Sequence, residues 1–314
     1  MTWRIPKLAT DVGVEQYTEP QVAVLVKTLL RERPLMHCVE SLVAYLPEGW
    51  FRLYVADDGP VSEAKESLYE DLSGNGHVIV KLPADTGASK ARNILVDKLQ
   101  DERYVLRMDD DFALCRESNV PAMARILEAE PRLGSIADLE RQVGKGKGVV
   151  SGGISWNQGF MHVRADGALE KRFMPPSWFR YHDIAGYRVA YCDYTRNMLL
   201  LRREVFESVR WEEQLPFTGE HEDLLLQLKS CGYLVGFTPD SIHEHRDDLT
   251  VSDGAASNYT KARDRLKVDR TRDDVFRKKW GVTRIVYKQS PVLAVLRRVR
   301  RILHAVSSLL SPEG

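Results

Sequence analysis

Three apolar runs in the first third of the chain each break into acids, and that arrangement leaves few folds open. Residues 51–56 end in Asp57-Asp58-Gly59-Pro60, residues 77–82 lead into the turn 83–87 carrying Asp85, and residues 103–108 deliver Asp109-Asp110-Asp111-Phe112. An earlier run, 22–26, is wholly apolar. All four have the length of buried strands, and the segments between them carry helical spacing. Leu35, Cys38, Leu42 and Tyr45 share one side of 34–46, and 89–100 reads as a second helix. Strands alternating with helices predict a parallel, doubly wound α/β sheet. Ligands of such sheets sit beyond the carboxyl ends of the strands, so the three acidic clusters should gather on one rim.

Three adjacent carboxylates repel one another. Solvent relieves that repulsion in an ordinary acidic turn; a hard divalent cation such as Mn2+ or Mg2+, which prefers oxygen ligands, relieves it in a metal site. Asp109 and Asp111 are placed for one such cation, which could also bridge the phosphates of a nucleotide. Asp57 or Asp58 can accept hydrogen bonds from a base or ribose. Gly87, Lys90, Arg92 and Asn93 open a helix whose N-terminus favours anions. Taken singly, these are also plain turns and a solvated helix face. Their common rim favours a nucleotide pocket.

The later half adds carboxylates and imidazoles. Glu222 and Asp223 fall in the first turn of a helix closed by Gly232, where they serve either the helix dipole or, as proton acceptors, an alcohol substrate. Beyond it, His243 and His245 share a face of an extended segment and offer an imidazole ligand.

Lys plus Arg and Asp plus Glu are 45 each in 314 residues, so no global field favours nucleic acid. The four cysteines are widely spaced, which disfavours a zinc site or disulfide scaffold. No run approaches the 18 apolar residues of a spanning helix, nor does the N-terminus carry a signal-peptide core; a cytoplasmic protein is expected.

In this order the motifs resemble those of metal-dependent glycosyltransferases of the GT-A fold, family-2-like and similar to β-1,4-galactosyl- and N-acetylgalactosaminyltransferases. Val55-Ala-Asp57-Asp58-Gly59 resembles the nucleoside-binding segment, with Pro60 where Ser is usual, and Gly87-Ala-Ser-Lys-Ala-Arg92-Asn93 resembles the segment near the diphosphate. Asp109-Asp110-Asp111 is similar to the DxD metal motif, Gly219-Glu-His-Glu222-Asp223 to the region of the general base, and His245 to the late metal-binding His. The resemblance implies a Rossmann-like, mostly parallel sheet flanked by helices. It implies transfer, with inversion, from a UDP-sugar to a hydroxyl of a glycan or glycolipid. Asp223 would be the base with Glu222 beside it. Asp109, Asp111 and His245, or its neighbour His243, would hold Mn2+ or Mg2+; Asp57, Asp58, Asp85, Gly87, Lys90, Arg92, Asn93 and Asp110 would meet the nucleotide-sugar.

The expected catalytic domain is 1–250, with a nucleotide-sugar half at about 20–115 and an acceptor half at about 148–250. Trp156, Trp178 and Trp211 are candidate acceptor platforms, although buried aromatics more often form core. A helical extension, 251–314, follows. Nine Lys or Arg and no acid lie between Arg277 and Arg301, and 291–310 has a continuous apolar stripe flanked by arginines. Such a helix suits an anionic membrane surface at the inner face, packing on the catalytic domain, or a homodimer. Two other functions fit the pattern: a non-catalytic glycan-binding scaffold on a transferase fold, and a sugar nucleotidyltransferase. Lys27-Thr-Leu-Leu-Arg-Glu-Arg33 lacks the glycines that the latter class uses to hold phosphates.

Overall fold

The structure is a computed structural model; it describes residues 21–144, 152–195, 198–216, 219–249, 258–261 and 271–289. The first half builds as its periodicity predicts. Strands β1 (Val22–Thr28), β2 (Phe51–Asp57), β3 (Val78–Lys81) and β4 (Tyr104–Asp109) alternate with helices α1 (Glu32–Tyr45), α2 (Glu63–Gly74) and α3 (Ala88–Val96). They pair in parallel in the order β3-β2-β1-β4. Both faces of β1 are covered: Ala23 and Leu25 pack on the side of Ala91 and Leu95 of α3, and Val22, Val24 and Val26 on the side of Leu35 and Leu42 of α1. Burial on both faces is why 22–26 is continuously apolar instead of alternating.

Helix α2 was not foreseen. Its sequence, Glu-Ala-Lys-Glu-Ser-Leu-Tyr-Glu-Asp-Leu-Ser-Gly, is mostly polar, and only Lys65, Tyr69 and Leu72 are buried. A start signal is present, since Ser62 caps the helix by accepting the Lys65 N–H at 3.3 Å.

The second half is mixed. After β5 (Phe112–Leu114) come α4 (Val120–Ala129), β6 (Leu133–Val143), β7 (Gly159–Val163), β8 (Leu169–Phe173), β9 (His182–Ile184), β10 (Tyr187–Cys192), β11 (Leu199–Arg202), α5 (Glu220–Ser230) and β12 (Leu234–Arg246). The sheet continues from β4 as β11-β6-β12-β10-β9, with β11 an antiparallel wedge between β4 and β6. Strand β12 joins two segments that the sequence suggests separately; its pairing with β6 shifts between Phe237 and Ile242, around Pro239.

Past residue 250 the described chain comprises a helical turn at 258–261, helix α6 (Thr271–Trp280) and strand β13 (Ile285–Gln289). The strand was not expected in a helical extension. It pairs in parallel with β8 and, with β7, forms a small second sheet. The expected basic helix at 291–310 lies outside the described residues. Among the described residues, no helix is long and apolar enough to cross a membrane.

Helices α5 and α6 are joined by a buried polar contact. Asp223, 0 % exposed, accepts from Trp280 Nε1 at 2.8 Å, Lys279 Nζ at 3.0 Å and Gln227 Nε2 at 2.6 Å. A hydrogen bond to a buried charge contributes about 1.5–3 kcal/mol. Trp280→Phe should therefore lower stability by about 2 kcal/mol in urea unfolding; an unchanged midpoint would show that the contact does not join the helices.

Candidate active site

The acids that leave β4 are separated by countercharge. Asp109 Oδ1 is met by Arg107 Nη2 at 2.7 Å and Arg92 Nη2 at 3.0 Å. The next two turn the other way: the Arg31 guanidinium binds both oxygens of Asp110, through Nε at 3.2 Å and through Nη2, and Oδ2 of Asp111 through Nη1. The Tyr259 ring covers that guanidinium at 4.4 Å. Burial pushes the Asp110 carboxyl up to about 6 against the pull of Arg31. For Asp111 burial acts the same way, but Arg31 and His245 outweigh it and hold the carboxyl far below the usual range.

Strand β5 brings an imidazole to Asp111. It pairs antiparallel with β12, Phe112 opposite His245, and the Arg246 N–H donates to the Asp111 carbonyl at 2.8 Å. His245 Nε2 then lies 3.5 Å from Asp111 Oδ2 and 3.3 Å from Asp247 Oδ1. Ligand atoms of these three partly exposed residues lie within 4.8 Å of one another. Two carboxylates and an imidazole, open enough for substrate oxygens and water, fit a divalent cation of the Mn2+ or Mg2+ kind. Burial would lower the His245 pKa, yet the neighbouring carboxylates of Asp111 and Glu140 raise it to about 11.

Two expected ligands are elsewhere. Asp109 faces its arginines, and His243 is fully buried, with Nδ1 2.6 Å from Asp138 Oδ1 and its ring against Phe112. Sharing a strand face did not give the histidines one role, because His243 lies one step deeper in the protein. Asp247 was missed, although it continues the two-residue alternation of His243 and His245.

Leu30, the residue before Arg31, lines a cavity of about 350 Å³ together with Leu29, Asp58, Pro60, Asp85 and Lys261, among others. Leu30 and Asp85 both have φ of 59°, and for a bulky residue such as Leu30 this is strain of the kind concentrated at ligand sites. Of the two acids after β2, only Asp58 lines the cavity, bound to Lys27 Nζ at 2.7 Å and to the Gly87 N–H at 3.0 Å. Asp57 is locked inside by Lys65 at 2.9 Å, Tyr69 at 2.7 Å and the Gly59 N–H at 3.0 Å, a structural role. A larger cleft of about 540 Å³ opens at the opposite end of β4, beside Tyr104, Arg202 and Arg210, remote from these acids.

The segment from Gly87 to Asn93 staples the two halves together. The Ala88 N–H donates to the Pro216 carbonyl at 2.9 Å, Ser89 Oγ to the Leu215 carbonyl at 2.6 Å, and Asn93 exchanges hydrogen bonds with the Trp211 backbone at 2.9 and 3.1 Å. The start of α3 is thus covered by protein backbone instead of facing a phosphate, and Lys90 is exposed. Of this group, Arg92 reaches the acids at the end of β4, through Asp109. It is 4 % exposed, and its Nε has no hydrogen-bond partner among the described residues. Trp211, 1 % exposed, packs on Arg92 and Phe206, so it is core and not an acceptor platform. Trp156 is half-buried and Trp178 is 49 % exposed.

The stapled segment leads into α5, whose first turn differs from expectation. Asp223 is fully buried against α6 instead of facing the rim, while Glu222 pairs with Lys171 of β8. The two residues before them face the rim: Glu220 Oε1 lies 3.7 Å from Arg92 Nη1, and His221 Nε2 accepts from Arg107 Nη2 at 3.2 Å. Burial pushes the Glu220 carboxyl up, with Arg92 and Arg107 opposing. The staple itself is testable at Gly87, which has φ of 84° and where an added Cβ would stand 2.8 Å from Pro216 Cβ. Gly87→Ala should cost about 2 kcal/mol or more in urea unfolding; a loss below about 0.5 kcal/mol would mean the loop is not held as described.

No family model matches the chain. The chain is 28 % identical over 124 residues to mouse beta-1,4 N-acetylgalactosaminyltransferase 2, which is 40 % of this chain and 22 % of that protein. Among solved structures it is similar to GalNAc-T7, crystallised with UDP, GalNAc and Mn2+, at a TM-score of 0.53 and 14 % identity, covering 83 % of this chain and 55 % of that one. S. aureus TarS is similar at 0.52 and 14 %, covering 81 % of this chain and 45 % of TarS, and its 1–349 fragment at 0.50 and 14 %, covering 83 % and 74 %. The matched part is about a fifth of the mouse relative's length and about half of the larger structures. With its parallel half, its antiparallel wedge and the cluster beyond β4, this chain has the GT-A fold of glycosyltransferases.

Proposed function

We propose that this protein transfers a sugar from a UDP-sugar to a hydroxyl of a glycan or glycolipid, inverting the anomeric carbon, with Mn2+ or Mg2+ held by Asp111, His245 and Asp247. The observation that carries this reading is that the three-ligand cluster and a strained cavity share the rim where the parallel strands β1, β2 and β4 end, with Leu30 of the cavity wall directly before Arg31, which binds Asp111. The names of the mouse relative and of GalNAc-T7 make UDP-GalNAc the first donor to test.

The chain's own residues divide the work. Asp58 and Asp85 offer acceptors to a nucleoside against the apolar wall of Leu29 and Leu30. A bound cation would offset the charge growing on the departing diphosphate. Arg31, which pairs with Asp110 and Asp111 at the edge of the cation site, would offer a guanidinium to a phosphate. Asp109, oriented by the buried Arg92 and Arg107, presents an acceptor to sugar hydroxyls. As the acceptor oxygen bonds to the anomeric carbon and the bond to diphosphate breaks, the hydroxyl proton passes to Glu220. Its raised proton affinity suits that step better than the enclosed Asp223. Trp156 and Trp178 lie on the acceptor half, and contact of 291–310 with an anionic membrane surface belongs to the same reading for a glycolipid acceptor.

Thermal-shift screening with UDP-, GDP- and CDP-sugars, each with and without Mn2+, tests donor binding. Stabilisation by a UDP-sugar that requires Mn2+ is expected; no response to any of them would reject the reading. With a donor in hand, Glu220→Gln should lower kcat at least about 100-fold while donor affinity stays within a few-fold. Normal turnover in that variant would remove Glu220 as the base. Donor binding with no transfer to any acceptor would favour the glycan-binding scaffold.

A further inference from the structure

The cluster is backed by a ladder of side chains that no motif announces. Strand β6 points Asp138, Glu140 and Gln142 to one face, and its parallel partner β12 points His243 and His245 to the same face, with Asp247 just beyond its end. These residues meet in three rungs of equal offset. Asp138 Oδ1 lies 2.6 Å from His243 Nδ1, Glu140 Oε1 lies 3.6 Å from His245 Nδ1, and Gln142 Nε2 donates to Asp247 Oδ2 at 2.8 Å. The β6 members are 2 %, 5 % and 5 % exposed, so none is a surface pair. The two outer rungs each touch a cluster residue on the side away from the cluster: Glu140 faces His245 Nδ1 while Nε2 faces Asp111, and Gln142 holds Oδ2 of Asp247 while Oδ1 faces His245. The close approach needs Gly144 after β6, which has φ of 93° and where a Cβ would stand 2.7 Å from the Asp248 N.

We infer that Glu140 and Gln142 are the positioning residues of the cation site. Glu140 keeps the His245 proton on Nδ1, leaving the Nε2 lone pair for the cation, and Gln142 orients Asp247. His243 with Asp138 forms the innermost rung, which anchors the ladder without contacting the cation. This inference rests on the cation-binding reading above and adds what determines its affinity. Carboxylates and amides behind metal ligands commonly account for about 10- to 100-fold in metal affinity.

The test is calorimetric titration of the full-length protein with Mn2+ alone, with no donor and no assay of transfer. Glu140→Gln and Gln142→Ala should each weaken Mn2+ binding at least about tenfold, and Glu140→Asp should recover part of the Glu140 loss. Metal-free thermal unfolding, run alongside, should move little for Gln142→Ala, so a loss of affinity there is not a loss of fold. His245→Ala should abolish binding. If the wild type binds no Mn2+, the cation-binding reading itself fails. If the wild type binds and His245→Ala does not, but both β6 variants bind within about twofold of wild type, that reading stands and the ladder inference is overturned.

Discussion

Three consecutive carboxylates at one strand end must be neutralised, and most of the rim follows from how this chain does it. Asp109 is turned to Arg92 and Arg107, and Asp110 and Asp111 to Arg31. The two directions divide the cleft. On one side lie the buried arginines with Glu220 and His221; on the other, Asp111 meets His245, which in turn meets Asp247. Coulomb attraction in a partly buried site is strong enough to set these orientations, because water screens it little there.

The same constraint explains why the sheet changes character beyond β4. Parallel strands alone would end the acids in solvent. The chain instead turns back through β5 onto β12, and that antiparallel pairing holds His245 beside Asp111 through backbone contacts. Strand β6, parallel to β12, then supplies the carboxylate and amide behind the cluster. Site and scaffold are therefore one hydrogen-bonded unit, with Gly87 and Gly144 at points where an added Cβ would collide with the segment packed against it.

Much of this was legible in the sequence. Strands β1 to β4, helix α1 and the convergence of three acidic clusters followed from apolar runs and their terminations, which are local signals. Helix α2 was missed because most of its length is solvated and its buried positions include a lysine, Lys65, that answers Asp57. Side-chain direction was not legible. Asp57 and Asp58 are neighbours, yet one is locked to α2 and the other lines the cavity; Asp223 and Glu220 share a helical turn, yet α6 encloses the first. Which face is covered depends on contacts between residues far apart in the chain, such as Asp223 with Trp280, and no local pattern encodes them. Asp247 was overlooked for the opposite reason, since the alternation that pointed to His245 continues to it.

Pulsed electron paramagnetic resonance of Mn2+ bound with UDP tests the central claim most directly. Coupling of the Mn2+ spin to an imidazole nitrogen that vanishes in His245→Ala, together with coupling to phosphorus of UDP, is the predicted result. Bound Mn2+ with phosphorus coupling but no imidazole nitrogen, or with neither, would contradict a cation site built on Asp111, His245 and Asp247.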